Sequence, residues 1–191
     1  MIFLSISYFF THKLRPSVLL VAKTSVEQIA TRTVDAAILE KLTQDGISYE
    51  TIVTVNTGKN NEVASLTTNT TLMNILKADI LNLINQKIQQ LSADKIGIPV
   101  GSLLNNELLA GRGPRIPIKL VPYGSATAEF ESSFVSDGIN QTRHKIDFVV
   151  NTKIAVLLPG MTSLTNIETT FPVGDTVIVG NVPNTYLDLQ R

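Results

Sequence analysis

The feature that most constrains the fold of this 191-residue chain is a long alternating run that follows a turn at Asp137-Gly138. From His144 onward, apolar and polar side chains alternate along the chain. A period of two is that of a strand with one buried and one solvated face. The pattern therefore predicts a strand over 144–158, with the polar run 140–144 at its start. The apolar members that share one face are Ile146, Phe148, Val150, Ile154, Val156 and Leu158.

Other strand patterns surround this one. Short β-rich runs joined by Gly or Pro turns predict an antiparallel meander in the second half of the chain. An earlier pair of runs, at 49–56 and 62–68, predicts a hairpin with a loop of about five residues. The region 96–115 reads as irregular, with a short helical turn inside it. The later predicted strands cover 115–122, 125–135, 162–173 and 176–179.

Two long helices are predicted before and between these strands. The first runs from Pro16 to about Gln44, with Gly46 as its C-terminal stop. The second, 72–91, is the clearest amphipathic helix of the chain. The sequence thus predicts an α+β fold, in which an antiparallel multi-stranded sheet packs against two long helices. The apolar row of the second helix is Leu72, Leu76, Ile80, Leu83, Ile84, Ile88 and Leu91.

Composition narrows the function classes. Lys plus Arg and Asp plus Glu both number 16, so the chain lacks the basic excess of a general nucleic-acid binder. There is no cysteine, which excludes disulfides, thiol catalysis and zinc-thiolate sites. A hydrophobic content of 43% is that of a globular domain with a core.

The first ten residues, 1–10, are almost all apolar. Ten helical residues span roughly 15 Å, about half of a bilayer core. We interpret residues 1–15 as a shortened membrane anchor, the alternative being a short buried or frayed segment. Residues 16–191 are then expected to form a single α+β domain.

No pattern in the sequence points to catalysis or to a bound metal. His12 and His144 are the two histidines, and neither has His, Asp or Glu at metal-ligand spacing. No Gly-x-Ser-x-Gly motif occurs either. We predict no catalytic residue, metal or cofactor, and we expect His144 to be hydrogen-bonded within the fold rather than to act as a base.

The best candidate for an interaction or anion site combines two short stretches. Arg112 and Arg115 lie beside Gly111 and Gly113, where exposed backbone amides and guanidiniums could hold a phosphate or carboxylate. The alternative is a tight turn with solvated arginines. The second stretch is the polar start of the long strand. Its candidate residues are Asn140, Gln141, Arg143 and His144.

Several blocks of the chain together resemble a known family. They are Gly97-Ile-Pro-Val-Gly-Ser-Leu103, Gly111-Arg-Gly-Pro114, Gly138-Ile-Asn-Gln-Thr-Arg-His144, Glu168 to Pro172 and Thr176-Val-Ile-Val-Gly-Asn-Val-Pro-Asn-Thr-Tyr186. In order and spacing they resemble the sporulation protein YunB family of endospore-forming Firmicutes, over roughly residues 16 to 188.

The resemblance implies a protein made in the mother cell during sporulation and needed for spore formation. It also implies an N-terminal membrane anchor and a domain outside the cytoplasm. No catalytic residues are carried over. The expected partners are other sporulation membrane proteins and the membrane itself, with no nucleic acid.

Two other functions are compatible with the sequence. One is binding of a lipid or hydrophobic ligand, in an elongated apolar groove between helix 72–91 and the sheet. The other is an enzyme acting on cell wall or small anionic substrates. That enzyme would require Arg112, Arg115, Arg143 and His144 to converge in one cleft.

Overall fold

A computed structural model describes residues 15–58, 63–93, 96–103, 108–138 and 140–180. Apart from Arg15, the predicted anchor segment 1–15 lies outside the described residues, as does the tail block after Gly180. In the described part of the chain, long helices are combined with antiparallel sheets, which confirms the predicted α+β class. The helices are α1 (Arg15–Gln44), α2 (Tyr49–Ile52) and α3 (Thr70–Ala93), with a 3-10 helix at Val100–Leu103. The strands are β1 (Val53–Thr57), β2 (Val63–Thr68), β3 (Ile96–Pro99), β4 (Arg115–Pro122), β5 (Thr127–Gly138), β6 (Gln141–Leu158) and β7 (Met161–Val179).

Helix α1 forms without a break over the predicted range and stops at the predicted glycine. Gly46 has φ +62°, a conformation that favours glycine because it has no Cβ. Its N–H donates to the Thr43 carbonyl, and the Ile47 N–H donates to the Leu42 carbonyl. These are the two bonds of a Schellman motif, which satisfy carbonyls left free at the helix end. Every fourth residue of α1 is buried: Val18, Ala22, Val26, Ala30, Val34, Ile38 and Leu42.

Helix α3 begins at Thr70, two residues before the predicted start at 72, and is capped by Asn69. The Asn69 side-chain oxygen accepts the Leu72 N–H at 3.0 Å, which satisfies one of the free amides of the first turn. Its buried row also repeats every four residues, at Leu76, Ile80, Ile84 and Ile88. In the described residues no helix combines the length with the apolar composition needed to cross a membrane.

The prediction of a strand over 49–56 is wrong for its first four residues. Residues 49–52 form the short helix α2, and the strand begins at Val53. The Ser48 N–H donates to the Thr51 hydroxyl, and the Thr51 N–H donates to the Ser48 carbonyl, so local bonds close a helical turn. Tyr49 and Ile52, three apart, are then both buried on the same side. The predicted hairpin is confirmed, since β1 pairs antiparallel with β2.

A strand missed by the sequence reading lies at 96–99. The pattern Ile-Gly-Ile-Pro was read as irregular, yet β3 pairs antiparallel with β4 from Ile96 to Pro99. Gly97 allows this pairing, because a Cβ there would come within 2.9 Å of the Arg115 Cβ. Glycine in a strand therefore marks a close approach here rather than a break.

The long strand β6 is the centre of the larger sheet. It pairs with β4, β5 and β7, and its residues 154–157 pair antiparallel with 119–122 of β4. A simple meander would have placed β4 beside β5, so the predicted strand order is wrong at that point. The two strands predicted at 162–173 and 176–179 form one strand, β7, which runs through Pro172 and Gly174.

The chain groups into two compact units. The first contains the described residues within 1–37, 81–127 and 150–169, and the second contains the described residues within 38–80, 128–149 and 170–191. In the first unit, the Thr165 hydroxyl of β7 donates to Glu27 of α1 at 2.8 Å. In the second, Lys41 of α1 bonds Asp79 of α3 at 2.9 Å. A hydrophobic cluster of the second unit joins Tyr49, Ile52, Val53 and Ile146 with Ile47, Leu66, Met73, Phe130 and Val173. The single domain expected over 16–191 stays a prediction.

Gly46→Ala should lower the free energy of unfolding by about 1 kcal/mol, because a side chain disfavours positive φ by that much. No heavy atom lies within 4 Å of the added Cβ, so crowding does not contribute. Urea denaturation measures the loss, and Gly46→Asn is the matched control, since asparagine tolerates this conformation better. Equal midpoints for Gly46→Ala and the wild type would contradict the assignment of the cap.

Candidate functional site

The six residues predicted as an interaction or anion site divide between the two units. Arg112 and Arg115 belong to the first unit, whereas 140–144 belongs to the second. Each group is therefore described separately.

The glycine turn of the first unit uses its own backbone amides. The Gly111 N–H donates to the Ser102 hydroxyl at 3.0 Å, and the Arg112 N–H donates to the Leu109 carbonyl at 3.0 Å. The Arg112 carbonyl in turn accepts the Gly101 N–H at 2.9 Å. Both Arg112 and Arg115 are exposed. The amides of Gly111 and Arg112 are therefore bonded within the loop and are not free to hold an anion. The anion site at Arg112 and Arg115 stays a prediction.

Arg143, in the second unit, is bound by two aspartates from the flanking strands. Its Nη2 donates to Asp137 Oδ2 at 2.6 Å, and its Nη1 donates to Asp175 Oδ2 at 2.9 Å. These carboxylates raise the pKa of Arg143 above its ordinary value. One guanidinium between two carboxylates leaves a net negative group, so this arginine does not offer a free positive charge to an anion. The neighbouring Asn140 is half-buried and Gln141 is exposed.

His144 is buried, with an exposed fraction of 2%. Its Nδ1 lies 2.6 Å from the Tyr49 hydroxyl, and its Nε2 lies 2.7 Å from the Ser132 hydroxyl. Phe134 stacks on the imidazole with ring centroids 4.5 Å apart. Tyr49 meets the imidazole edge-on, with ring centroids 5.6 Å apart. A histidine hydrogen-bonded within the fold is what the sequence led us to expect, and the geometry confirms it.

Three elements position this histidine. Tyr49 opens α2, Ser132 and Phe134 lie on one face of β5, and His144 lies near the start of β6. Tyr49 comes close to β7 because residue 174 is glycine: a Cβ there would lie 3.0 Å from the Tyr49 Cβ. We name the group Tyr49, Ser132, Phe134 and His144 the histidine centre.

The hydrogen-bond network determines which protons the centre carries. A neutral imidazole has one N–H and one acceptor nitrogen. Buried Tyr49 has to donate its proton, so we assign its hydroxyl as the donor to Nδ1. Nε2–H then donates to Ser132. Burial lowers the pKa of His144 below its ordinary value of 6.5 and raises the pKa of Tyr49 above 10.0, to which the charge of Glu50 adds.

This tautomer argues against a nucleophilic serine. Activation of a serine hydroxyl requires a basic nitrogen that accepts its proton. In the tautomer that we assign, the nitrogen next to Ser132 carries the proton and donates it. The third position, which orients and stabilises an imidazolium in a hydrolase, is here a neutral phenol rather than a carboxylate. The histidine centre connects α2, β5 and β6. It lacks the negative charge that the carboxylate supplies in a catalytic triad.

Sequence reasoning missed most partners of the predicted residues. The alternation of the predicted strand 125–135 puts Phe134 on the apolar face opposite Glu129 and Glu131, and the same alternation would have placed Ser132 beside it. Asp137 was read only as a turn residue. No local signal could have connected Tyr49 or Asp175 to this site, because they are separated from residues 143–144 by about 95 and 32 positions.

The lipid alternative predicts an apolar groove beside helix 72–91. In the second unit a cavity of about 310 Å³ lies at the start of α3. Four of its six lining residues are polar or charged, which does not suit an acyl chain. The lining residues are Thr70, Met73, Asn74, Lys77, Glu129 and Phe130. Across the described ranges, no group of three or more His, Asp or Glu side chains is placed to hold a metal ion.

Comparison with known proteins finds a similarity to one family over the second half of the chain. Residues 95–185 match the sequence profile of the family described as Sporulation protein YunB. This match contains all six predicted site residues. The resemblance predicted from the sequence blocks is therefore confirmed.

A particular relative extends the similarity toward the N-terminus. The chain is 22% identical over 183 residues to Sporulation protein YunB of Bacillus subtilis (strain 168), an alignment that covers 91% of this chain and 72% of the relative. Together the two matches support a role in sporulation. No solved structure matches this chain.

The histidine centre should make stability depend on pH. Because the folded pKa of His144 is lowered, the unfolded chain binds a proton first as pH falls through 6.5. The free energy of unfolding should then decrease with acidification, down to the folded pKa. Urea denaturation at several pH values should show a steeper loss for the wild type than for His144→Gln. Parallel profiles for the two proteins would contradict a buried neutral His144.

Phe134→Ala should raise the pKa of His144 toward its ordinary value, because the stacked ring shields the imidazole from water. Titration of the imidazole C–H resonances by NMR measures the change. Val135→Ala is the matched control, since Val135 is the next residue of β5 and points to the opposite face. An unchanged pKa in Phe134→Ala, or an equal shift in Val135→Ala, would show that this ring does not cover His144.

Proposed function

We propose that this protein is a non-enzymatic, membrane-associated sporulation protein that acts through protein–protein interaction outside the mother-cell cytoplasm. The observation that carries the proposal is the YunB family match over residues 95–185. Its expected partners are other sporulation membrane proteins.

The geometry of the most reactive residue types supports a non-enzymatic role. The imidazole of His144 is buried between two hydroxyls, and the guanidinium of Arg143 is bound by two carboxylates. Both groups are thus satisfied by neighbours within their own unit. A catalytic acid, base or anion clamp needs a group that is free to meet its substrate.

A candidate interaction surface lies on the sheet face that carries Arg143. Asp175, Val177 and Val179 lie two residues apart along β7, so the three share a face. Val135 is related to Asp137 in the same way on β5. The exposed fractions of Val135, Val177 and Val179 are 51%, 42% and 62%. Exposed apolar side chains next to charged ones are typical of surfaces that bind other proteins.

The membrane part of the proposal rests on the sequence. The apolar run 1–10 precedes the long helix, and the resemblance to the YunB family implies an anchor with its domain outside the cytoplasm. An anchored domain would meet its partners at the membrane surface. It would therefore need an exposed binding face rather than an enclosed site.

A photo-crosslinking amino acid at Val177, in the full-length protein expressed in sporulating cells, should yield a discrete crosslinked product in the membrane fraction. The matched control places the same amino acid at Thr162, which is exposed on the same strand. Mass spectrometry of the product should identify a membrane protein made during sporulation.

Two results would contradict the proposal. One is a full-length protein found only in the soluble cytoplasmic fraction of sporulating cells. The other is a crosslinking pattern that is the same at Val177 and Thr162, which would indicate random collisions rather than a defined interface.

A further inference from the structure

A second surface, independent of the proposed interaction face, lies in the first unit. A cavity of about 320 Å³ opens where the turn after β4 meets the exposed faces of β5, β6 and β7. Its volume is near the lower end of the range for small-molecule sites, which suits a ligand with a single ring. The side chains that line it are Tyr123, Ser125, Thr127, Asn151, Lys153 and Asn166.

The fold places this lining by strand alternation and one backbone bond. Asn151 and Lys153 are two apart on β6 and so share a face, and Asn166 comes from the neighbouring strand β7. The Tyr123 N–H donates to the Lys153 carbonyl at 2.9 Å, which fixes the start of the turn beside β6. Gly124, with φ +82°, then reverses the chain. Tyr123 is 57% exposed at the edge of the cavity.

The polar side-chain groups of the cavity have no protein partners in the part of the chain that the structure describes. The two amides of Asn151 and Asn166 make no side-chain hydrogen bond, and Lys153 makes no ion pair. No carboxylate lines the cavity. The cavity therefore presents an uncompensated positive charge together with amides and hydroxyls that both donate and accept.

This chemistry selects among ligand classes. An acyl chain would find no purely apolar side chain in the lining, since each of the six side chains carries a polar group. A phosphate is usually held by several cations or by converging backbone amides, and here there is one lysine. A sugar ring has an apolar C–H face that can pack on a tyrosine ring. Its adjacent hydroxyls can accept a hydrogen bond from the N–H of a side-chain amide and donate one to the oxygen of that amide. A carboxylate on that sugar would pair with Lys153.

We propose that this cavity binds a saccharide that carries a carboxylate. Tyr123 packs on the sugar ring, Asn151 and Asn166 hydrogen-bond its hydroxyls, and Lys153 pairs with the carboxylate. We name this group the saccharide cavity. This assignment does not depend on the proposed protein–protein interaction, because the two proposals rest on different residues and different observations. The saccharide proposal rests on the cavity lining, whereas the interaction proposal rests on the family match and the exposed valines.

The test compares glucuronic acid with glucose as probes of the full chain, by NMR chemical-shift titration. Glucuronic acid should shift the amide resonances of Asn151, Lys153 and Asn166. It should bind about fivefold more tightly than glucose, because one exposed ion pair with Lys153 is the difference. Lys153→Met keeps the side-chain stem and should reduce glucuronic acid binding to the level of glucose. Lys119→Met, which alters an exposed lysine outside the cavity, is the matched control and should change nothing.

Three results would overturn the proposal. The first is the absence of shifts at the cavity with glucuronic acid while the wild-type spectrum remains that of a folded protein. The second is equal binding of glucose and glucuronic acid, or an equal effect of the two lysine variants. The third is displacement of glucuronic acid by inorganic phosphate at a similar concentration, which would identify a simple anion site.

Discussion

The burial of His144 is the constraint on which the second unit depends. A polar ring with an exposed fraction of 2% is tolerated only because both nitrogens have partners, the hydroxyls of Tyr49 and Ser132. Those partners come from a short helix and a neighbouring strand. The need to pair both nitrogens therefore connects elements that are distant in sequence. An unpaired imidazole nitrogen at this buried position would lower the free energy of unfolding by about 1–3 kcal/mol.

The same burial decides what the centre can do. Loss of solvation keeps the imidazole neutral, and the assigned tautomer points its proton toward Ser132. Beside it, Arg143 is held between Asp137 and Asp175 at the surface, where each ion pair contributes at most about 1 kcal/mol. Within the polar run at the start of β6, Arg143 and His144 are thus bound by neighbours in the fold. We therefore propose that function lies on exposed surfaces, at Val177 and its neighbours and in the saccharide cavity.

Much of the fold could be predicted because its patterns are local. The alternation after His144 predicts β6, the apolar row predicts α3, and Gly46 predicts the end of α1. The failures have a common physical cause, which is that tertiary contacts override local preference. Gly97 and Gly174 read as breaks, but each lies in a strand at a close approach to another segment. Tyr49 reads as β-forming, but the bonds between Ser48 and Thr51 close a helical turn there. The partners of His144 and Arg143 were beyond prediction, because strand order and long-range contacts decide them.

The central claim is that this protein, which is similar to the YunB family over residues 95–185, works through its surface and not through catalysis at the histidine centre. The most direct test is the count of heat-resistant spores in the native host, with its own gene replaced by variants. Ser132→Ala removes the hydroxyl that an enzyme would use, and Val177→Asp places a charge on the proposed interaction face. We expect Ser132→Ala to support spore formation as the wild type does, and Val177→Asp to fail while remaining folded and abundant. Loss of spores in a folded Ser132→Ala variant, with Val177→Asp fully active, would contradict the account.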